Sequence, residues 1–188
     1  MRRGARTARA PRARVRGVHA RRTAADRPAR CAVLTVSDTR RGRADRGGAL
    51  AAQLIGRAGH AVISRAWARD DAGSIRRAAR TLLARPDLDA LIVTGGTGAA
   101  PRDVTPEAFD PLWDRELPGF GEHFRELSRR EVGTAAWLSR AAAGIVRGRL
   151  AVLLPGSPSA VRLGLARVLL PELSHIMRML GRRPTPEE

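Results

Sequence analysis

The chain has 188 residues, of which 43% are hydrophobic and only 3% aromatic, and its formal net charge is +17. That length suits one domain with a tail, and that composition suits a core of Leu, Val, Ile and Ala. No apolar run approaches the ~20 residues of a membrane-spanning helix, and a single Cys31 excludes an internal disulfide, so a soluble cytoplasmic protein is expected.

The charge is unevenly spread. Every basic residue is Arg; residues 1–30 hold 11 Arg and one acid, Asp26, and the other 24 Arg face 17 acids. More than half of the excess therefore sits in a segment without apolar periodicity, which is expected to be a disordered tail because it has little to bury. Three readings stay open for it: a polyanion-binding arm, an organelle-targeting peptide, or a solvated extension from an upstream start codon. A secretory signal is not expected, since no apolar stretch follows the charges. Arg-only usage with abundant Ala, Gly and Pro also fits a GC-rich coding sequence. The domain is expected over residues 31–183, with 184–188 as a short C-terminal tail.

Cys31–Val36 is a short β-branched apolar run, expected as a strand buried on both faces, with Cys31 in the core. A polar loop from Ser37 to Gly48 follows. Leu50, Leu54 and Ala58 then fall on one face of a helix that Gly59 stops. His60–Ala66 alternates weakly, as a second strand would. Asp70-Asp71 precedes the helical stripe Ile75, Ala78, Ala79, Leu82 and Leu83. Leu88–Thr94 is the next buried strand and runs into Gly95-Gly96-Thr97-Gly98. Thr105-Pro106-Glu107 has a helix-start signature with Thr105 at the N-cap. Gly119–Arg130 and Thr134–Ala143 are both expected as helices. Leu150–Leu154 is the last strand, cut off by Pro155-Gly156, and Ser157-Pro158 opens a helix carrying Val161, Leu165, Val168 and Leu169. Pro171 should kink or restart it. Alternating strands and helices predict a three-layer α/β/α domain with a mostly parallel sheet. Ligands of such sheets bind beyond the carboxyl ends of the strands, here the loops at Ser37-Asp38, Gly95–Asp103 and Pro155–Pro158.

Those loops carry the candidate chemistry. Glycines at 95, 96 and 98 let backbone approach a ligand and aim N–H groups at an anion, with Thr97 adding a hydroxyl; the same residues also make an ordinary turn. The loop lacks both the Walker lysine and the dinucleotide-binding glycine spacing. Asp70, Asp71 and Asp103 are carboxylates suited to Mg²⁺ shared with substrate phosphates, and Asp70 and Asp71 equally suit helix capping. Arg102 can hold a phosphate or pair with Asp103 or Glu107. Ser157, with Gly156, can face an anion or cap a helix. His60, His123 and His175 form no constellation with other catalytic or metal-binding residue types. Trp67, Trp113 and Trp137 are expected in the core or at subunit contacts.

The motifs LTVSD (34–38), ARDDAGSI (68–75), IVTGGTGAAPRDVTPEA (92–108), DRELPGFGEHFRELS (114–128), LSRAAAG (138–144) and LLPGSPSAV (153–161), in this order, resemble the MogA/MoaB family of molybdenum cofactor biosynthesis. The resemblance covers about residues 31–180. It implies a cytoplasmic homotrimer working with other cofactor-biosynthesis proteins, not with nucleic acid or membrane. It implies adenylyl transfer from Mg-ATP to the terminal phosphate of molybdopterin, with release of pyrophosphate. By the same resemblance Asp70 and Asp103 are the catalytic and Mg²⁺-holding acids. Ser37, Asp38, Gly95, Gly96, Thr97, Gly98, Gly156 and Ser157 hold nucleotide and phosphate, and Ser128, Ser139 and Arg102 hold molybdopterin. Arg69 replaces the proline that many relatives carry before these acids, which loosens that loop. The GFGE-FR-LS and SRA-AG patterns lean towards the MoaB branch, so a non-enzymatic molybdopterin-binding protein is the alternative.

Overall fold

In a computed structural model, which describes residues 27–39 and 42–181, the apolar runs form the middle of a six-stranded sheet. Its strands are β1 (Arg30–Val36), β2 (Ala61–Ala68), β3 (Ala90–Thr94), β4 (Arg115–Glu116), β5 (Ala142–Val146) and β6 (Arg149–Leu154), in the order β2-β1-β3-β6-β5-β4. The pairs β1·β2, β1·β3 and β3·β6 are parallel; β5 runs antiparallel to β6, and β4 antiparallel to β5. The three-layer, mostly parallel α/β architecture is thus present, with an antiparallel edge.

The helices are α1 (Arg46–Arg57), α2 (Ala72–Leu83), α3 (Thr105–Phe109), α4 (Pro118–Val132), α5 (Pro158–Leu163) and α6 (Leu173–Met179). One core joins Cys31, Val33, Ala90 and Ile92 of the sheet to Ile55 of α1, Phe124 of α4, Val161 of α5 and Met177 of α6. The other joins Ala32, Leu34, Leu91 and Val93 to Ile75 and Ala79 of α2 and Phe109 of α3. Successive residues of β1 and β3 thus feed opposite cores, as a pleated strand covered on both faces must. Because β1 lies between β2 and β3, the chain leaves β1 over one face through α1 and returns over the other through α2. That reversal opens a crevice at the carboxyl ends of β1 and β3.

Several local expectations change. On α1 the fully buried positions are Gly47, Gly48, Ala51 and Ile55, with Leu50 and Leu54 only partly covered. Thr105 lies inside α3 rather than capping it, because Val104 takes the N-cap and the Thr105 hydroxyl donates to the Gly95 carbonyl (2.8 Å). Thr134–Ala143 is not a helix: a 3₁₀ segment, Gly133–Leu138, leads into β5. β5 and β6 close as a hairpin through Arg147 (φ 51°) and Gly148 (φ 70°), the left-handed pair that a two-residue antiparallel turn requires. After α5 the helix passes into a π segment, Gly164–Leu169, and restarts as α6 beyond Pro171. Trp113 packs on Phe109 with ring centroids 5.2 Å apart, whereas Trp137 is 74% exposed.

The fold also reaches ahead of Cys31. Arg27 pairs with the buried Asp89 (2.6 Å), the Arg30 N–H donates to the same carboxylate (2.8 Å), and the Ala29 N–H donates to His60 Nδ1 (3.1 Å). Residues 1–26 and 182–188, which hold most of the expected tails, lie outside the described residues. None of the described helices is long and apolar enough to cross a membrane.

Cys31 is fully buried, and burial together with the Asp89 charge pushes its thiol up to about 12. The thiolate is the reactive species. Native protein at pH 8 is therefore expected to resist iodoacetamide for hours, and protein in denaturant to react within minutes. Mass spectrometry of the two samples measures the difference.

Candidate functional site

The carboxyl ends of β1, β3 and β6 open into a cavity of about 720 Å³, large enough for a small-molecule ligand. Its floor and glycine wall depend on backbone that only glycine supplies. Gly95 (φ 108°) and Gly96 (φ 65°) both have left-handed φ. A Cβ on Gly95 would lie 2.2 Å from the Val36 carbonyl oxygen, and one on Gly96 would lie 2.3 Å from Thr105 Oγ1 and 2.8 Å from Asp70 Oδ1. The loop is held by Gly95 N–H to Leu154 O (2.9 Å) and Thr105 N–H to Gly96 O (2.9 Å).

The acids divide their work. Asp71 is the N-cap of α2, its Oδ1 accepting from Ser74 N–H (2.7 Å). Asp70 faces the cavity instead. Its backbone N–H donates to Asp38 Oδ1 (3.1 Å), and its own Oδ1 is buried without a hydrogen-bond partner among the described residues. Burial, and then the charges of Asp103 and Asp38, raise the Asp70 pKa above the usual carboxylate range; Arg102 opposes them. Asp103 also lines the cavity, with Oδ2 accepting from Ala100 N–H (3.0 Å). Among the described residues no group of three or more His, Cys, Asp or Glu side chains could hold a metal ion. A cation here would depend on one or two carboxylates and the ligand's own oxygens, which is how Mg²⁺ commonly binds beside phosphates.

Ser37, Asp38, Asp70, Gly95, Gly96, Arg102, Asp103, Gly156 and Ser157 all line this one cavity, although they come from four separate loops. Ser157 caps α5 by accepting from Ala160 N–H (3.3 Å). Thr97 and Gly98 are not in the lining: Thr97 is buried, and a Cβ on Gly98 would press against the Asp103 carboxylate at 2.6 Å. Ser128 on α4 and Ser139 after the 3₁₀ segment are also outside it, and Ser139 Oγ accepts from Ala141 N–H (3.3 Å).

Two residues that local pattern does not mark shape this site, Asp45 in the cavity lining and Arg140 outside it. Asp45 caps α1 by accepting from Gly48 N–H (2.8 Å), accepts from Thr35 Oγ1 (2.8 Å), and pairs with Arg65 (2.9 Å). Reading 37–48 as one polar loop hid it; an acid just ahead of Arg46-Gly47-Gly48 is an N-cap signal. Arg140 is the other. Its N–H donates to Thr97 O (2.9 Å), its Nε to Gly98 O (2.9 Å), and its guanidinium also reaches Asp103 O and Glu107. Its hydrogen bond holds the Glu107 carboxyl below its ordinary range. Nothing near Arg140 in sequence signals this, because its acceptors lie at least 33 residues away. Arg140→Ala is expected to loosen the 97–103 loop, raising amide hydrogen exchange there roughly tenfold or more without global unfolding. Arg140→Lys should recover little, since an ammonium cannot span these separate acceptors.

Comparison with known proteins bears on what this cavity takes. The family model described as "Probable molybdopterin binding domain" matches residues 32–175. The chain belongs to this family. The matched span includes every residue that lines the cavity. The molybdenum cofactor biosynthesis protein B of Halalkalibacterium halodurans is 44% identical over 162 residues, covering 86% of this chain and 95% of that protein. A crystal structure titled molybdenum cofactor biosynthesis protein B superposes with a TM-score of 0.81 at 42% identity, over 85% of this chain and 99% of that one. A MogA structure superposes at 0.70 and 27% identity, over 80% and 99%. The family is thus that of molybdenum cofactor biosynthesis, and these structures share the present fold.

Proposed function

We propose that this protein transfers the adenylyl group of Mg-ATP to the terminal phosphate of molybdopterin and releases pyrophosphate. The observation that carries the reading is Asp70: a carboxylate oxygen is buried, lacks a hydrogen-bond partner among the described residues and feels the charges of two further acids in a cavity lined by glycine backbone. Such an oxygen is costly to leave unmet, and a divalent cation held there with a nucleotide would meet it. Asp70 and Asp103 fit as the residues that would hold Mg²⁺. Bound Mg²⁺ would neutralise phosphate charge and so make the α-phosphorus a better electrophile.

In the proposed reaction a terminal phosphate oxygen of molybdopterin attacks the α-phosphorus of ATP and a new P–O–P bond forms. The bond from the α-phosphorus to its bridging oxygen breaks, and its electron pair leaves with pyrophosphate. No protein nucleophile is required; the chain positions two anionic substrates and screens their repulsion. Gly95 and Gly96 bring backbone close to the nucleotide, Ser37, Asp38 and the Gly156-Ser157 turn border it, and Arg102 faces the phosphates beside Asp103. Homotrimer assembly and work alongside other cofactor-biosynthesis proteins belong to the same reading; sedimentation at three times the chain mass checks the trimer.

The test is pyrophosphate release from Mg-ATP in the presence of molybdopterin. Wild-type protein that binds molybdopterin yet releases none would sink the transferase reading. A binding role without turnover would then stand. That second reading is favoured by one finding, the higher identity to proteins B (44%) than to MogA (27%).

A further inference from the structure

The cavity lining has two chemically distinct parts, and only the acidic one is used above. In the other, α1 points its first turn into the cavity through Asp45, Arg46 and Gly47. The first N–H groups of a helix have no intrahelical acceptor. Gly48 N–H is taken by Asp45 Oδ1 and Ala49 N–H by Asp45 O, which leaves those of Arg46 and Gly47 ahead of the first helical bond. Gly47 sits hard against the 155–158 turn, since a Cβ there would be 2.8 Å from Gly156 O.

An independent feature lies beneath this terminus. Thr94 ends β3 on the face shared with Ala90 and Ile92, the face that packs against α1 and α5. It is 1% exposed and lines the cavity, and its Oγ1 has no hydrogen-bond partner among the described residues. Its register neighbour Thr35, on the same face, already donates to Asp45. The Asp45 charge does not spoil the site, because Arg65 pairs with it and both its oxygens are occupied. Arg46 is exposed, lines the same space and has no ion pair among the described residues.

From this arrangement we infer a second, metal-independent phosphate subsite formed by the first turn of α1, the Arg46 guanidinium and the Thr94 hydroxyl. It would take a terminal phosphate monoester dianion, while the nucleotide phosphates go with their cation to Asp70 and Asp103. The inference rests on the proposed reading that both substrates of this cavity carry phosphate. The two parts of the lining sort them by chemistry: N–H, guanidinium and hydroxyl donors for the phosphate that arrives without a metal, carboxylates for the phosphates that bring one.

The experiment titrates full-length protein with inorganic phosphate in EDTA, and separately with Mg-ATP, following backbone amides by NMR. Phosphate should shift the Arg46 and Gly47 amides. Arg46→Gln should weaken phosphate about tenfold, and the near-isosteric Thr94→Val about threefold. Mg-ATP affinity should stay within twofold in both. Arg46 is exposed and Thr94→Val conserves shape, so both variants should fold; their unperturbed amide spectra check this. Phosphate that shifts neither amide, or binds both variants as it binds wild type, overturns the subsite, as does an equal loss of Mg-ATP affinity in Arg46→Gln. Failure of the transferase reading looks different: no pyrophosphate is released, while phosphate binding and its dependence on Arg46 persist.

Discussion

Asp70→Asn is expected to abolish pyrophosphate release, with kcat down by roughly 10²-fold or more, and at the same time to make the metal-free protein more stable. Both effects come from the same carboxylate. Asn keeps the shape but cannot supply the negative charge that a cation beside the triphosphate needs. In the absence of that cation the charge is a burden, because it is partly desolvated and faces Asp103 and Asp38. A carboxyl whose pKa is raised by folding binds more protons folded than unfolded, so its destabilising effect is full above the raised value. The effect fades as pH falls through that value towards the ordinary carboxylate range. The variant's advantage in Tm, roughly 1–3 °C at pH 7, should therefore shrink as the buffer is acidified. Calorimetry in EDTA across pH 4–8, beside a pyrophosphate assay, reads both effects. A variant less stable than wild type at pH 7 would contradict the electrostatic account. Retained turnover would remove Asp70 from the chemistry.

Gly95→Ala is expected to produce the largest loss of stability. The added Cβ would lie 2.2 Å from the Val36 carbonyl oxygen, a backbone atom at the carboxyl end of the central strand β1, at a residue with φ 108°. Left-handed strain and overpacking each cost about 1–3 kcal/mol. A combined loss of roughly 3–5 kcal/mol would consume much of the 5–15 kcal/mol typical of a domain. Urea unfolding should show a large drop in midpoint, and mutant protein should accumulate poorly. Gly56→Ala is the control: it lies in α1 with nothing within 4 Å of the added carbon, and should raise stability by about 0.5–1 kcal/mol.

The parts of this fold that could be read from sequence are those where local pattern and tertiary role agree. Cys31–Val36, Leu88–Thr94 and Leu150–Leu154 are apolar because both faces of the central strands are covered, so composition alone marks them. β5 fails that test. Its Ala142-Ala143-Gly144 start looks helical or loop-like, yet Gly144 is there because a Cβ would strike Arg115 O at 2.7 Å and the Trp113 ring. Close approach by β4 and its neighbours selects small residues, and small residues carry little strand signal.

The site was legible to a similar degree. The glycine loop and its acids stood out, but Asp70 and Asp71 are indistinguishable as letters. Only the direction of each side chain separates the cap from the cavity-facing group. Thr105 departs from its helix-start signature for the same reason: the signature names the residue type, while its hydroxyl is needed ten residues back at Gly95. Arg140 and Thr94 depend on contacts across the fold or on a contact not made, and neither leaves a local trace.

The anchoring of Arg27 and Arg30 on Asp89 has a practical consequence. Asp89 immediately precedes β3, so these bonds lie at the amino ends of the parallel strands, whereas the cavity lies at their carboxyl ends. The seven residues of β1 span roughly 23 Å between the two. That is more than two Debye lengths at physiological ionic strength. A surface tether or fluorophore attached just ahead of Arg27 therefore starts at the opposite end of the strands from the cavity, and immobilised protein should present an open mouth to ligands in flow.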